Sequence, residues 1–479
     1  MGVFAQQQRK WWALLGVSIA SFLGCVDFTI VNTALPALQA DLGASLDSLQ
    51  WVINGFILAL SSFMVLVGRL ADLQGRKRVL FIGLSVFGLA SLAAGLAGQI
   101  ETLIGARVLQ GLACAVLYTA SGAIVSSTFD STEQGKAFGV LFGVNGVGLA
   151  VGPVLGGLIT SGFGWQWIFL INVPFVLLSL AICSFSVQES RSTEVDARLD
   201  VWGALLLLIG LPSLVLVIVQ GGGWGSSLTL SLIAVTVLAL GAFLVLEKRV
   251  AAPIIDLQLF ANRRFVAAVA ASFGLALFYC VAFFVMPLYL AQIRGETLQA
   301  SGLLLLPTTL GVALLSPLVG RLVDRRGPAL LIKAGLLLLV LSALLQAGFD
   351  RQTSLPYLLG AFVIMGLGWA SILGPSTVLG ISSVPQEVGS VAMGSLMTLH
   401  NVGGGIGLAL GVGLFHHFSA TPLDDTQGAF LNGYRVVMVF LAGVTLAVWA
   451  VVSVLLRKSP ALARGAVQEG RAVAEESGG

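Results

Sequence analysis

The chain has 479 residues, of which 57% are hydrophobic and only 10% charged, with a mean hydropathy of +0.98 and 59 glycines. Soluble domains carry about 45–50% apolar and about 25% charged residues, so this chain cannot be covered in water. A soluble enzyme, a disordered chain and a nucleic-acid binder are excluded together, and the formal net charge of +3 matters less than where the charges sit.

Apolar runs of membrane-spanning length, about 20 residues each, fall near 12–37, 48–69, 79–98, 102–125, 137–160, 166–187, 201–220, 226–246, 266–290, 300–320, 329–349, 355–378, 390–415 and 436–456. They predict an all-α integral membrane protein with fourteen transmembrane helices. Barrel strands would alternate in segments of about ten residues, whereas Val201 to Gln220 is apolar on every face. An even number of crossings puts both termini on one side, and Lys and Arg decide which. The side that holds the N-terminus, the even-to-odd loops and the C-terminus collects nearly all of the 25 Lys and Arg. Only Arg294, Arg351 and Arg435 fall opposite, and Arg107 falls inside a span. Cytoplasmic termini and a multi-pass protein of the cytoplasmic (inner) membrane are therefore expected.

The first run exceeds the apolar core of a cleaved signal peptide and is interrupted by Asp27, so it is expected to remain. Cys25, Cys114, Cys183 and Cys280 sit in apolar runs without metal-ligand spacing and read as packing residues, so no metal site is expected. Residues 459–479, rich in Ala, Gly and charge, are expected to form a disordered cytoplasmic tail.

The chain repeats itself. Gly68-Arg69-Leu70-Ala71-Asp72-Leu73-Gln74-Gly75 aligns with Gly320-Arg321-Leu322-Val323-Asp324-Arg325-Arg326-Gly327, and Pro36 corresponds to Pro287 at nearly the same offset. Spans one to six thus recur as nine to fourteen with unchanged topology. The expected division is an N-terminal six-helix bundle at 1–187, an inserted helix pair with cytoplasmic linkers at 188–264, and a C-terminal six-helix bundle at 265–458. Parallel repeats of this kind characterise transporters whose substrate site lies near the midplane between the halves.

Several segments carry mechanism. In the repeated loop, Asp72 and Asp324 can meet the N-terminus of an adjacent helix, Arg76 can pair with Asp72, and Gly75 and Gly327 permit tight turns, beside Gly68 at the helix end. Such a charged latch can hold one conformation and release in another. Arg107, in Arg107-Val108-Leu109-Gln110-Gly111, is a charge deep in a span, which is costly unless paired and is a functional signal by default. Asp27, the only carboxylate expected inside any span, is its candidate partner. At a rise of ~1.5 Å per residue, Asp27 lies about 13 Å and Arg107 roughly 8 Å from the outer face, so the two can share a layer. Burial favours a neutral carboxyl and a neighbouring guanidinium favours the carboxylate, so a conformational change could switch Asp27 between proton uptake and release. A purely structural Asp27–Arg107 pair is the competing reading. In span five, Gly148, Gly152, Pro153, Gly156 and Gly157 let helix backbones approach closely and allow a bend.

These motifs, with Trp165-Gln166-Trp167 and Asn172-Val173-Pro174 at span six, resemble those of the major facilitator superfamily, specifically its fourteen-helix drug/proton antiporter branch of bacterial multidrug efflux type. The resemblance covers nearly the whole chain and implies two six-helix bundles plus two inserted helices. Gln166 replaces the branch's usual Arg. It implies a proton-coupled exporter of lipophilic small molecules that works by alternating access as a monomer in the lipid bilayer, with protons as coupling ion, no cofactor and no enzymatic activity. Asp27 and Arg107 would couple protons, with His400 as a second titratable group, since imidazole titrates near neutrality; a hydrogen-bonded packing histidine is the alternative. Cavity candidates are Asn32, Asn54, Tyr118, Asn145, Tyr279, Met286, Tyr289, Trp369 and Met397, together with His400. Apolar, aromatic and Met surfaces accept many lipophilic shapes. Export of one natural metabolite, such as a siderophore or self-made antibiotic, is the nearest rival reading, and a non-transporting scaffold or sensor is a third.

Overall fold

The computed structural model describes residues 2–130, 132–191, 200–219, 227–250, 254, 257–385, 388–419 and 426–457. The expected tail at 459–479 lies outside the described residues, as do the basic residues Arg198, Lys458, Arg464 and Arg471. The helices are α1 (Gly2–Leu42), α2 (Leu46–Gln74), α3 (Arg76–Gly95), α4 (Ile100–Thr128), α5 (Gln134–Phe163), α6 (Trp167–Leu170), α7 (Asn172–Ser186), α8 (Val201–Val219) and α9 (Ser227–Glu247). After a short 3-10 turn at Leu257–Ala261 follow α10 (Arg263–Gln292), α11 (Leu298–Arg326), α12 (Pro328–Ala347), α13 (Leu355–Ile381), α14 (Gly389–Ser419) and α15 (Thr426–Leu455).

Among the described residues thirteen helical segments are long and apolar enough to cross a membrane, with α6 and α7 forming one of them. The expected seventh span, α8, is apolar and 19 residues long and stands just outside that count. No strand occurs among the described residues. Several helices run past their apolar runs, because polar residues at helix ends can be satisfied by partners inside the protein. This corrects the expectation that Asp27 is the only carboxylate within the spans: Asp72 near the end of α2 and Glu247 at the end of α9 are also buried.

The duplication is written into the backbone. α2 and α11 both have 29 residues, α3 and α12 both have 20, and each second copy starts 252 positions after the first. At that same offset the α2 N-cap Ser45 accepts from Ser48 N, and the α11 N-cap Thr297 accepts from Ala300 N. The turns before them use Gly43 (φ +60°) and Gly295 (φ +68°), and the turns after them Gly75 (φ +108°) and Gly327 (φ +76°). Side chains with a Cβ avoid these conformations, so glycine recurs at all four positions.

Helices α1 to α7 pack among themselves, α1 against α5, α7 and α4, and α2 and α3 against α4. A second group forms from α10 to α15, where α10 meets α13, α14 and α15, and α13 meets α11 and α12. The groups join along two seams, α5 on α11 and α2 on α14, while α8 pairs with α9 and lies against α2 and α14. Arg9 donates to the Ser186 carbonyl (3.2 Å), Lys10 pairs with Glu133, and Lys77 Nζ donates to the Ser184 carbonyl (2.7 Å). The start of α1, the α4–α5 connection, the end of α7 and the first repeated loop therefore share one end of the bundle, called the basic end below.

Glycine sets how closely the helices approach. A Cβ on Gly111 of α4 would strike the Phe56 carbonyl oxygen of α2, whereas one on Gly157 of α5 would meet no atom within 4 Å. Gly111→Ala is therefore expected to lower the detergent melting temperature by several degrees, because backbone must move. Gly157→Ala should leave it unchanged or raise it, given alanine's helix advantage of about 1 kcal/mol; thermal unfolding of the purified variants checks both.

Candidate functional site

Asp27 on α1 and Arg107 on α4 are sealed from solvent, at 0% and 1% exposure, and form an ion pair. Their expected common layer is what the helices provide. Arg107 Nη1 also donates to Gln110 Oε1 (3.0 Å), and its Nε donates to the Val52 carbonyl of α2 (3.1 Å). The guanidinium lies 4.2 Å from the centre of the Phe56 ring, a cation–π contact. The other oxygen of Asp27 accepts from Asn172 Nδ2 (3.1 Å) and Gln110 Nε2 (3.3 Å), and Gln110 Nε2 donates to Ser91 Oγ on α3 (2.9 Å). Gln110 stands one turn from Arg107, and Asn172 is the first residue of α7, where the break after α6 turns its amide inward. Sequence reasoning assigned no role to Gln110, Asn172 and Ser91. The available signal was an amide in each of two otherwise apolar segments.

Both copies of the loop motif reach across to the opposite helix group. Asp72 accepts from Val391 N (2.9 Å) and Ser390 N (3.3 Å) at the start of α14, and from Arg76 Nη2 (3.0 Å) and Nε (3.2 Å). Arg76 Nε also donates to Ser390 Oγ (3.1 Å). Asp324 accepts from Gly135 N (2.7 Å) and Lys136 N (2.8 Å) at the start of α5. Each aspartate thus satisfies orphan amides at a helix N-terminus, where the helix dipole favours negative charge. Gly68 allows the approach: a Cβ there would lie 2.6 Å from the Ser390 carbonyl oxygen. Pro328 stands where Arg76 stands in the first copy, so Asp324 caps its helix without the equivalent arginine.

In α5, Gly148 faces Phe22 and Cys25, Gly152 faces Thr29, and Gly156 faces Ile30 and Thr33, so this stripe packs on α1. Gly157 points away from that contact, and α5 stays helical through Pro153. The seam to α11 uses other glycines of the same helix, Gly135, Gly139, Gly143 and Gly146.

Between the groups lies a cavity with about 800 Å³ of atom-free space, its open mouth included. Of the expected lining residues, Tyr118, Asn145, Tyr279, Trp369, Met397 and His400 line it. Asn32, Asn54, Met286 and Tyr289 do not, which corrects the sequence reading. Asn32 is exposed on the α1 turn beyond Phe28, and Asn54 sits about two turns from Leu60 on α2. Met286 is fully buried, and Tyr289 packs against Phe349 and Tyr434 with its hydroxyl on the Asp350 carbonyl. Phe28, Met64, Phe142, Met393 and Asn401 also line the cavity, unforeseen because their helices are apolar on every face. His400 Nδ1 is 2.9 Å from Ser272 Oγ, and its Nε2 is 3.3 Å from the Tyr279 hydroxyl. Asp27 itself does not line the cavity, although its neighbour Phe28 and Cys25 do.

The first latch contains an ion pair, Asp72 with Arg76, and the second has no counterpart among the described residues, so the two should respond unequally. With a single cysteine placed at Val391 in a background lacking the native cysteines, Asp72→Asn is expected to speed labelling by a water-soluble maleimide roughly tenfold, the scale of a lost charged hydrogen bond. Asp324→Asn should speed it less; equal rates in both variants and the parent would show that the latch does not hold this end closed.

The sequence profile described as Major Facilitator Superfamily matches residues 17–408. The chain is 35% identical over 419 residues to the multidrug resistance protein Stp of Mycobacterium tuberculosis, covering 85% of this chain and 76% of that one. It is also 35% identical over 457 residues to the puromycin resistance protein pur8 of Streptomyces alboniger, covering 91% and 90%. Among solved structures, the human organic anion transporter MFSD10 (TETRAN) superposes with a TM-score of 0.66 at 17% identity, over 92% of this chain and 99% of that one, a likeness of fold alone. Two similar helix groups, cross-engaged loop motifs and a profile match over most of its length identify the chain as a multi-pass membrane protein that belongs to the major facilitator superfamily.

Proposed function

We propose that the protein exports lipophilic drugs or toxic compounds from the cytoplasm by alternating access, driven by the proton gradient. It works as a monomer in the cytoplasmic membrane, with both termini cytoplasmic and the basic end facing inward, an orientation that the distribution of Lys and Arg supports. No cofactor and no bond-making chemistry are involved. The reading draws on the family, on relatives named for multidrug and puromycin resistance, and on the apolar cavity between the helix groups.

The observation that carries the coupling is the position of Asp27, sealed in a polar knot one residue from Phe28 on the cavity wall. Protonation of Asp27 removes its charge opposite Arg107, while the neutral acid can still accept from Asn172 and Gln110. The buried guanidinium then lacks its counter-ion, a state that α1 and α4 can relieve only by moving. Movement of α1 reshapes the cavity through Phe28 and Cys25, so proton and substrate are linked without touching. Engaged latches close the basic end; their release would admit substrate from the cytoplasm.

Asp27→Asn retains the hydrogen-bonding shape of the side chain and removes its titration. In proteoliposomes it should abolish substrate-dependent proton flux and make substrate binding independent of pH, because affinity linked to a proton at Asp27 loses its titration; full retained coupling would end the proposal. In an efflux-deficient host the native protein should protect against several unrelated lipophiles and Asp27→Asn against none. Protection by the native protein against one compound alone would favour a dedicated metabolite exporter.

A further inference from the structure

The cavity wall contains two buried polar groups without a partner. Trp369 on α13 is 5% exposed and Asn145 on α5 is 8% exposed, yet neither Trp369 Nε1 nor Asn145 Oδ1 has a hydrogen-bond partner among the described residues. Both side chains line the cavity, one from each helix group. Buried polar groups are almost always paired, and one left open in an apolar surround marks a place where something else makes the bond. The indole can only donate, and the amide oxygen can only accept.

The surfaces around these groups are flat and fixed. Tyr279 stacks on Trp369 at 4.3 Å between ring centres with a 12° interplanar angle, and Phe283 meets the same indole edge-on at 6.0 Å. The Tyr279 hydroxyl is tied to His400, which Ser272 holds from its other nitrogen. Phe28 and Phe142 supply aromatic surface from the opposite helix group. Among the described residues no Asp, Glu, Lys or Arg lines the cavity, so a permanent charge entering it would lose its hydration without gaining a counter-ion.

We propose that this cavity selects uncharged, planar, polycyclic aromatic compounds that carry both a carbonyl and a hydroxyl. The carbonyl oxygen takes the Trp369 indole N–H, the hydroxyl donates to Asn145 Oδ1, and the ring system lies against the aromatic walls. A ligand held in this way bridges α5 and α13 and so reports to both helix groups at once. A site that hydrogen-bonds its ligand rejects analogues that lack the polar groups far more strongly than an apolar pocket could. The inference rests on the reading of this cavity as the substrate site.

Binding of three probes to the full-length protein in nanodiscs tests it: 2-(hydroxymethyl)anthraquinone, whose hydroxyl is free to donate, anthracene as the same ring system without polar groups, and ethidium as a planar cation. The anthraquinone should bind at least tenfold tighter than either other probe. Trp369→Phe, which keeps a flat ring but removes the donor, and Asn145→Leu, which removes the acceptor, should each weaken the anthraquinone by about fivefold to tenfold and leave anthracene unchanged. Melting curves identify a variant that fails to fold, in which case the other decides. Anthraquinone affinity within twofold of native in the folded variants, or tighter binding of ethidium, overturns the selectivity while leaving the cavity as a substrate site. Failure of all three probes to bind overturns the selectivity and the cavity reading together.

Discussion

A guanidinium sealed inside a membrane protein must find its acceptors within the protein, because the hydrocarbon around the helices offers none. Meeting that requirement at Arg107 organises the N-terminal helix group. The Val52 carbonyl comes from α2, the carboxylate from α1, the supporting Gln110 from α4 itself, and Ser91 and Asn172 join from α3 and α7. Close approach of α2 and α4 at Gly111 brings Val52 and Phe56 within reach. Replacing any one polar member strands the others in a low dielectric, so the knot behaves as a unit rather than as separate contacts.

The same demand for satisfied backbone groups explains the contact between the groups at the basic end. A helix beginning inside the protein leaves amides without acceptors, and α5 and α14 each receive an aspartate from the other half of the duplication. Exchange of these caps makes closure cooperative in geometry: neither group can withdraw without exposing the helix start of its partner. The copies have nonetheless diverged, since Arg76 has become Pro328. Proline suits the first turn of α12, where no amide partner is needed. One half therefore carries a charged network and the other a simple cap, so the pseudo-symmetric halves are not energetically equivalent.

Much of this was legible in the sequence. Spans follow from hydropathy and from the scarcity of charge, the duplication from the repeated loop, and the Asp27–Arg107 pair from the difficulty of burying an arginine alone. The neutral members of the knot were harder to find, because Ser91, Gln110 and Asn172 carry no charge to betray burial. Helix facing was hardest. In a soluble protein a polar stripe marks the outside, but here the exposed Leu158 and the cavity-lining Leu149 on α5 look alike in sequence. That is why Asn32, Asn54, Met286 and Tyr289 were expected at the cavity and Phe28, Met64 and Met393 were not. Glu247 escaped notice because α9 runs past its apolar stretch into a buried corner of the insert.

The inserted helices have a further consequence for the outside of the bundle. Ala204, Leu207 and Leu211 of α8, with Phe243 of α9, pack over Val65 of α2 and cover the flank where α2 meets α14. Among the described residues no helix covers the opposite flank, where α5 meets α11, and Leu158 of α5 and Leu314 and Leu318 of α11 are exposed. The two seams of the duplication are thus unlike from outside, one roofed by the insert and the other bare. The added pair of helices gives a duplicated fold a front and a back.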